Sequence, residues 1–526
     1  MWPDGVYFDG VFSVSSSCGF LPIAPLPTLP PSPFDESVGV LLSQLPVHLC
    51  VDDSYKGNSK GILGCPSAIV HAIANLPNLV DAIVPAYSPR TIATLFRSYA
   101  FLASAYLLET AYATQTPEGK YGKARRILPK QIAQPLHRVA KALGQAPWLD
   151  YHYAYGLCNY AIKDEQKGLD YNNLDMVCRF AGTQDEVGFM MVHVNINENG
   201  AQLIAGIRDA IAAAEEDPQS LVPALAKVHA AATAINSVRR SMWKASKPER
   251  YNDFRAFIMG VKGNDAIFGD GVIYEGVDEY GNEPQQPRGQ TGAQDDLIPT
   301  LDIFSGVTEY YPTNKLTEYL IDLRTYRPTS IKRFLEDLRE RVRACSLAQA
   351  VRTHPSAAAT MVGIVEEIFL FRNGHFQFVQ RYIMANTQHG SATGGTPITT
   401  WLPNQLEACL KLIDDLLRCD SLAMATSIVN AMAKSSSTEG IEDEESKAMV
   451  QAVMSAVPEL SKEEASIVMR NALETANRAR VLQSQVDAMV ASNHIDSALI
   501  YRLNDGRLDE TSHYHLKSRS TTAAAA

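Results

Sequence analysis

Cysteine is sparse in this chain and shows no pattern. The eight residues, Cys18, Cys50, Cys65, Cys158, Cys178, Cys345, Cys409 and Cys419, include no C-x-x-C pair and no cysteine–histidine cluster at zinc spacing. That excludes a zinc ribbon or a disulfide scaffold, and the residues read as buried, reduced thiols. G-x-S-x-G, H-E-x-x-H, a Walker loop and a paired-carboxylate motif are also missing, so nothing supports a hydrolase or a kinase. Basic charge is in deficit: 47 Lys plus Arg against 58 Asp plus Glu leave a net charge of −11. This sign is wrong for a surface that follows a phosphate backbone, and no nucleic-acid partner is expected. No apolar run is expected to reach the roughly eighteen residues of a membrane-spanning helix. The opening MWPDGVYFDGVF carries acids where a secretory signal needs a basic stretch. A cytoplasmic, monomeric protein without membrane contact is therefore expected.

What is present is an ordinary globular mixture, 46% apolar and 20% charged over 526 residues, enough for two or three domains and for burying a large ligand. Residues 1–40, with LPIAPLPTLPPSPF, read as a proline-rich arm. A smaller helical domain is expected over 41–180, beginning in earnest with RTIATLFRSYAFLASAYLLETAYAT, where apolar residues recur at three and four. A larger helical domain follows over 181–405, and a helical extension with a disordered end over 406–526. Within the larger domain, GFMMVHVNINENGAQLIAGIRDAIAAAEEDP predicts a helix interrupted near Gly200. Ser246 and Glu249 fit a capping box, as do Ser461 and Glu464. The stretch YEGVDEYGNEPQQPRGQTGAQ is too long for a tight turn and reads as a surface or lid-like loop. No segment alternates strongly enough to predict a sheet, and the fold class is all-α.

Four features carry possible chemistry. His375 lies on a stripe with Ile368, Phe371, Phe378 and Tyr382 at helical spacing. There a neutral imidazole is either a core histidine, which spacing alone favours, or a metal ligand. HGSATGGTP offers backbone N–H groups and the hydroxyls of Thr393 and Thr396 to a small anionic or zwitterionic ligand, but is also an ordinary linker sequence. Arg255, in an apolar helix with Tyr251 and Met259 a turn away, suits a bidentate carboxylate or a structural ion pair. Phe189 and His193, four apart, share a helix face as an aromatic wall with a polar neighbour, or as core.

In order along the chain, ILPKQIAQPL, GFMMVHV, FRAFIMGVKGN, GDGVIYEG, GQTGAQ, LDIFSG, RNGHFQFVQRYI and ATGGT resemble the indoleamine 2,3-dioxygenase family, from about Ile127 to Thr396. R-x-x-x-x-G-x-K-G-N, Y-E-G, R-x-x-H and T-G-G-T are each weak alone; their ordered combination is specific.

The resemblance implies two helical domains with one haem b between them, and dioxygen as co-substrate. His375 matches the proximal iron ligand and Asp302 the acid of its outer shell. Arg255 matches the arginine that pairs with the substrate carboxylate, while Tyr151 and Phe189 match walls of the indole pocket. Thr393 matches the loop threonine near the substrate ammonium and a haem propionate. The implied reaction opens the indole C2–C3 bond of L-tryptophan to give N-formyl-L-kynurenine, the first step of the kynurenine pathway. His193 is a departure, standing where the animal enzymes carry a small hydroxyl residue. It would either orient the substrate or ligate the iron. Rival readings are a dioxygenase for another indole, a haem- or indole-binding sensor without turnover, and a helical scaffold without haem.

Overall fold

A computed structural model describes residues 7–49, 59–116, 119–216, 220–312, 315–387, 389, 391–395 and 402–419. The second predicted capping box and the acidic and alanine-rich parts of the tail lie outside these residues.

The fold is built from helices. Pro89–Ala113 begins with Pro89 in its first turn, where a missing N–H costs nothing, and Ser88 caps it by accepting from the Thr91 N–H. Its apolar residues run around the whole cylinder, and 18 of its 25 residues are buried. The expectation that no run is long and apolar enough to cross a membrane is thus corrected. Pro89–Ala113 and Leu221–Ala245 both meet that test, and the first is almost wholly enclosed by protein. Lys130–Leu143 packs beside it and ends at Gly144, whose φ of +65° is the left-handed conformation glycine adopts freely.

Gln184–Glu198 and Gly200–Glu216 are separate helices divided at Asn199, as the sequence predicts. Thr183 caps the first of them. Glu186 in its opening turn is fully buried, and its carboxylate accepts the N–H groups of Phe180, Ala181 and Gly182. Leu221–Arg239 packs against both the Gly200–Glu216 helix and Pro355–Phe378, the long helix that carries His375.

Several expectations are revised. Residues 7–34 do not project as an arm: Phe12, Phe20 and Phe34 are fully buried, and only the proline string between them runs extended and largely exposed. Two small ladders occur, Ile127–Leu128 parallel to Ile273–Tyr274 and Tyr160–Ile162 antiparallel to Leu174–Met176. Segments of two or three residues are too short to leave an alternating signal. The Ser246–Glu249 capping box does not form. Ser246 is extended, its hydroxyl is unpartnered, and its N–H, which the box would offer to Glu249, is bonded to the Met242 carbonyl at 3.1 Å. A capping box does form at Thr291 and Gln294. In the predicted surface loop, residues 278–283 are mostly exposed but 287–291 are buried. Finally, the boundary expected at 405 falls inside the Leu402–Leu417 helix, which packs along the His375 helix. Four of the described cysteines are buried, whereas Cys65 is exposed.

Candidate functional site

His375 sits in the last turn of Pro355–Phe378. Its chain neighbours Gly374 and Phe376 are buried, yet its own side chain is uncovered. Burial nevertheless pushes the imidazole down to about 4, with further lowering from the charges of His193 and Arg239. An uncovered but desolvated ring faces an enclosed cleft, not the outer surface. At neutral pH it is a neutral imidazole, and among the described residues neither ring nitrogen forms a hydrogen bond.

His193, in the middle of Gln184–Glu198, faces the same cleft. Its Nδ1 lies 2.8 Å from the Phe189 carbonyl oxygen. A carbonyl can only accept, so Nδ1 carries the proton and Nε2 of the neutral ring presents a lone pair. Burial holds this imidazole below its usual value, so the neutral form prevails near pH 7. Phe189 lies 5.4 Å from the His193 ring and within 6.1 Å of the Tyr251, Phe254 and Tyr382 rings. Tyr382 in turn meets Phe378 and Trp243, so a continuous run of aromatic rings joins the His193 helix to the His375 helix.

Arg255 closes the short helix Asn252–Arg255 and is fully buried. Nη1 donates to the Tyr121 hydroxyl at 3.2 Å and Nη2 to the Ser391 carbonyl at 2.8 Å, while Nε has no partner. No carboxylate forms an ion pair with it among the described residues. A buried guanidinium bonded only to neutral groups is electrostatically incomplete, and an anion satisfies it.

Ser391 belongs to the glycine loop, which is held by backbone packing. The Gly260 N–H donates to the Thr393 carbonyl at 2.8 Å. A Cβ on Gly263 would collide with Gly395, and one on Gly260 with Gly289. This is why R-x-x-x-x-G-x-K-G-N and T-G-G-T occur together: their glycines let separate loops touch main chain to main chain. The Thr393 hydroxyl donates to the Gln290 carbonyl at 2.8 Å. His389 adds a further wall beside Tyr121, its Nε2 2.9 Å from Asn264 Oδ1, and burial pushes it down to about 4.

Tyr151 and Asp302 are placed differently from expectation. Tyr151 is wholly covered and does not open on the cleft. It lies 6.1 Å from the His193 ring, and its hydroxyl donates to Asp295 at 2.6 Å. It therefore supports His193 and is not itself a pocket wall. Asp302, in Leu297–Ser305, is not bonded to His375. One oxygen accepts from Arg372 Nη2 at 2.7 Å and from the Tyr311 hydroxyl; the other, Oδ1, is buried and unpartnered. Arg372 also donates to the Gln405 carbonyl and to Cys409 in the Leu402–Leu417 helix. Asp302 thus meets the His375 helix at Arg372, one turn before His375.

Sequence reasoning missed Tyr121, Asp295 and Arg239. Only the aspartate pair in GQTGAQDD carried a signal, since consecutive acids in a segment destined for burial require partners. Asp295 binds Tyr151 and Asn197, while Asp296 binds His152 at 2.7 Å and also Arg327.

A family model described as "Indoleamine 2,3-dioxygenase" matches residues 10–405. The chain belongs to the indoleamine 2,3-dioxygenase family. It is 27% identical to indoleamine 2,3-dioxygenase 1 of Rattus norvegicus over 41% of this chain and 52% of that enzyme. It is 29% identical to indoleamine 2,3-dioxygenase acdA of Aspergillus candidus over 54% of this chain and 74% of that protein. With the indoleamine 2,3-dioxygenase of Saccharomyces cerevisiae the figures are 28%, 55% and 65%. The chain thus spans about half the length of the rat relative and about two thirds to three quarters of the fungal ones. The match from residue 10 also brings residues 10–40 into the family region, in keeping with the burial of Phe12 and Phe20.

Indoleamine 2,3-dioxygenases are haem-dependent oxidoreductases that use dioxygen. The cleft suits that group. Among the described residues no three His, Cys, Asp or Glu side chains gather as a bare ion would need, whereas a porphyrin asks the protein for one or two axial donors. His375 supplies an open, neutral imidazole, the aromatic run supplies apolar surface, and Arg255 lacks an anion.

Proposed function

We propose that this chain is a haem dioxygenase that opens the indole C2–C3 bond of L-tryptophan, giving N-formyl-L-kynurenine. The observation that carries the substrate assignment is the buried Arg255 guanidinium with, among the described residues, a free Nε and no acidic partner. It calls for a carboxylate at the edge of an aromatic cleft, and an aromatic amino acid has both parts.

His375 would hold the haem iron, which when bound supplies the centre that activates dioxygen. Arg255, steadied by Tyr121 and Ser391, receives the amino acid carboxylate. Phe189 flanks the indole ring. His193 keeps its proton on Nδ1 through the Phe189 carbonyl and offers Nε2 to the indole N–H. Thr393, with its hydroxyl donated to Gln290, retains acceptor capacity for the substrate ammonium. Holding the substrate at both ends makes the encounter with dioxygen effectively intramolecular. The glycine loop at Arg255 keeps water from the carboxylate pair and so strengthens it.

A second reading has one specific support, that His193 and His375 lie close enough for a charge on one to disfavour protonation of the other. In that reading both imidazoles ligate the iron and the protein binds haem or an indole without turnover. Anaerobically reduced, haem-reconstituted protein mixed with L-tryptophan and dioxygen decides between them. Formation of a product two oxygen atoms heavier than tryptophan supports the dioxygenase. A tryptophan-induced spectral shift without product supports the binder. Absence of a Soret band rejects both.

A further inference from the structure

Arg239 ends the Leu221–Arg239 helix and is buried, 8% exposed. Its Nε donates to Asn236 Oδ1 at 3.0 Å. The guanidinium carbon lies 5.8 Å from the Phe371 ring centre and 5.6 Å from that of Phe378. These rings are two turns apart on the His375 helix, with His375 between them on the same stripe. The guanidinium rests on Gly374: a Cβ there would overlap Nη1, Cζ and Nη2 together. The glycine before His375 therefore makes room for a cation.

Among the described residues that cation forms no ion pair. None of its hydrogen bonds goes to a carboxylate, and the acid whose field reaches it is the partly exposed Glu367. Glu367 is itself held by Asn236 Nδ2 at 2.7 Å and by Thr233 at 3.1 Å. On the other flank, Asp302 is occupied by Arg372 and Tyr311 and gives His375 no bond. The immediate electrostatic environment of the ligand imidazole is therefore positive. An acceptor on the outer N–H of a ligand imidazole makes it more basic and favours the more highly charged iron. A fixed positive charge beside it does the reverse, since it raises the energy of the ferric state more than that of the ferrous state.

We propose that Arg239, seated on Gly374 beside His375, sets the reduction potential of the bound haem and holds the iron in the ferrous state that takes up dioxygen. The proposal rests on the haem reading above. Arg239 is a positioning and tuning residue that touches neither substrate nor dioxygen.

The test is a redox titration of the Soret band in the haem-loaded full chain, comparing the wild type with R239K, R239Q and E367Q. R239Q should lower the ferrous-to-ferric ratio at fixed potential about tenfold, about 59 mV for a one-electron couple. R239K, which keeps the charge, should stay within about threefold of wild type on the same scale. E367Q should shift the ratio in the opposite direction, because it unmasks the guanidinium. A merely structural arginine would leave the potential unmoved in all three. An intact Soret band with a wild-type potential in R239Q overturns the proposal. If R239Q does not fold or load haem, an unchanged potential in E367Q overturns it. A wild-type chain that takes up no haem rejects the underlying haem reading, a result visible before any titration.

Discussion

Asp302 and Arg372 form a buried ion pair, 2.7 Å apart and each less than a tenth exposed, one helical turn before His375. The pair joins three helices, since Arg372 also reaches Gln405 and Cys409. Burial raises the Asp302 carboxyl, while Arg372 and Tyr311 pull it down. Asp302→Asn should leave Arg372 as an uncompensated buried charge and cost about 3 kcal/mol. Urea unfolding of the haem-free chain measures this directly. A loss below about 1 kcal/mol would mean that solvent reaches the pair and that it does not anchor the His375 turn.

Arg255→Gln should weaken L-tryptophan binding at least a hundredfold while leaving the Soret band in place, because a buried charge-assisted pair contributes about 3 kcal/mol or more. Arg255→Lys should recover only part of this, as an ammonium cannot reproduce the fork held by Tyr121 and Ser391. Spectral titration with L-tryptophan provides the dissociation constants. Equal affinity in wild type and Arg255→Gln would remove the carboxylate role.

The sequence carried much of this site, for identifiable reasons. The stripe through Ile368, Phe371, His375 and Phe378 predicts one face of a helix, and Pro355–Phe378 is that helix. The break near Gly200 was legible because Asn199 and Gly200 interrupt two apolar periods. Arg239 was illegible: in sequence it is the first of two arginines closing an alanine-rich stretch, where a solvated charge is the ordinary outcome. Only the fold brings Gly374 under it. The Ser246 capping box failed because the preceding helix already holds the Ser246 N–H on the Met242 carbonyl, leaving Glu249 no donor there to accept from. Asp302 was found, but its partner was not, since any of several arginines suits a buried acid.

His193→Ala should raise KM for L-tryptophan about tenfold with little change for an N1-methylated tryptophan, which has no N–H to offer Nε2. A neutral hydrogen bond of about 1.4 kcal/mol sets that ratio. The ferric spectrum of the wild type should be that of a high-spin haem and should be unaltered by the substitution. A low-spin wild type that becomes high-spin in the variant would instead make His193 an iron ligand.

His389 gives a prediction in pH. Its imidazole is held at about 4 by burial and, next, by the charge of Arg255, against about 6.5 in the unfolded chain. The folded state therefore refuses a proton that the unfolded state accepts between these values. Stability attributable to this residue is full above about pH 6.5 and falls as pH drops towards 4, where it levels off. His389→Gln lacks the titration. Relative to the variant, the wild type should lose up to about 1.4 kcal/mol per pH unit across this window. Paired urea unfolding curves at pH 7.5, 6 and 5 test it. Parallel pH profiles would show that His389 is protonated as easily folded as unfolded, and that Arg255 and the surrounding protein do not keep this imidazole neutral.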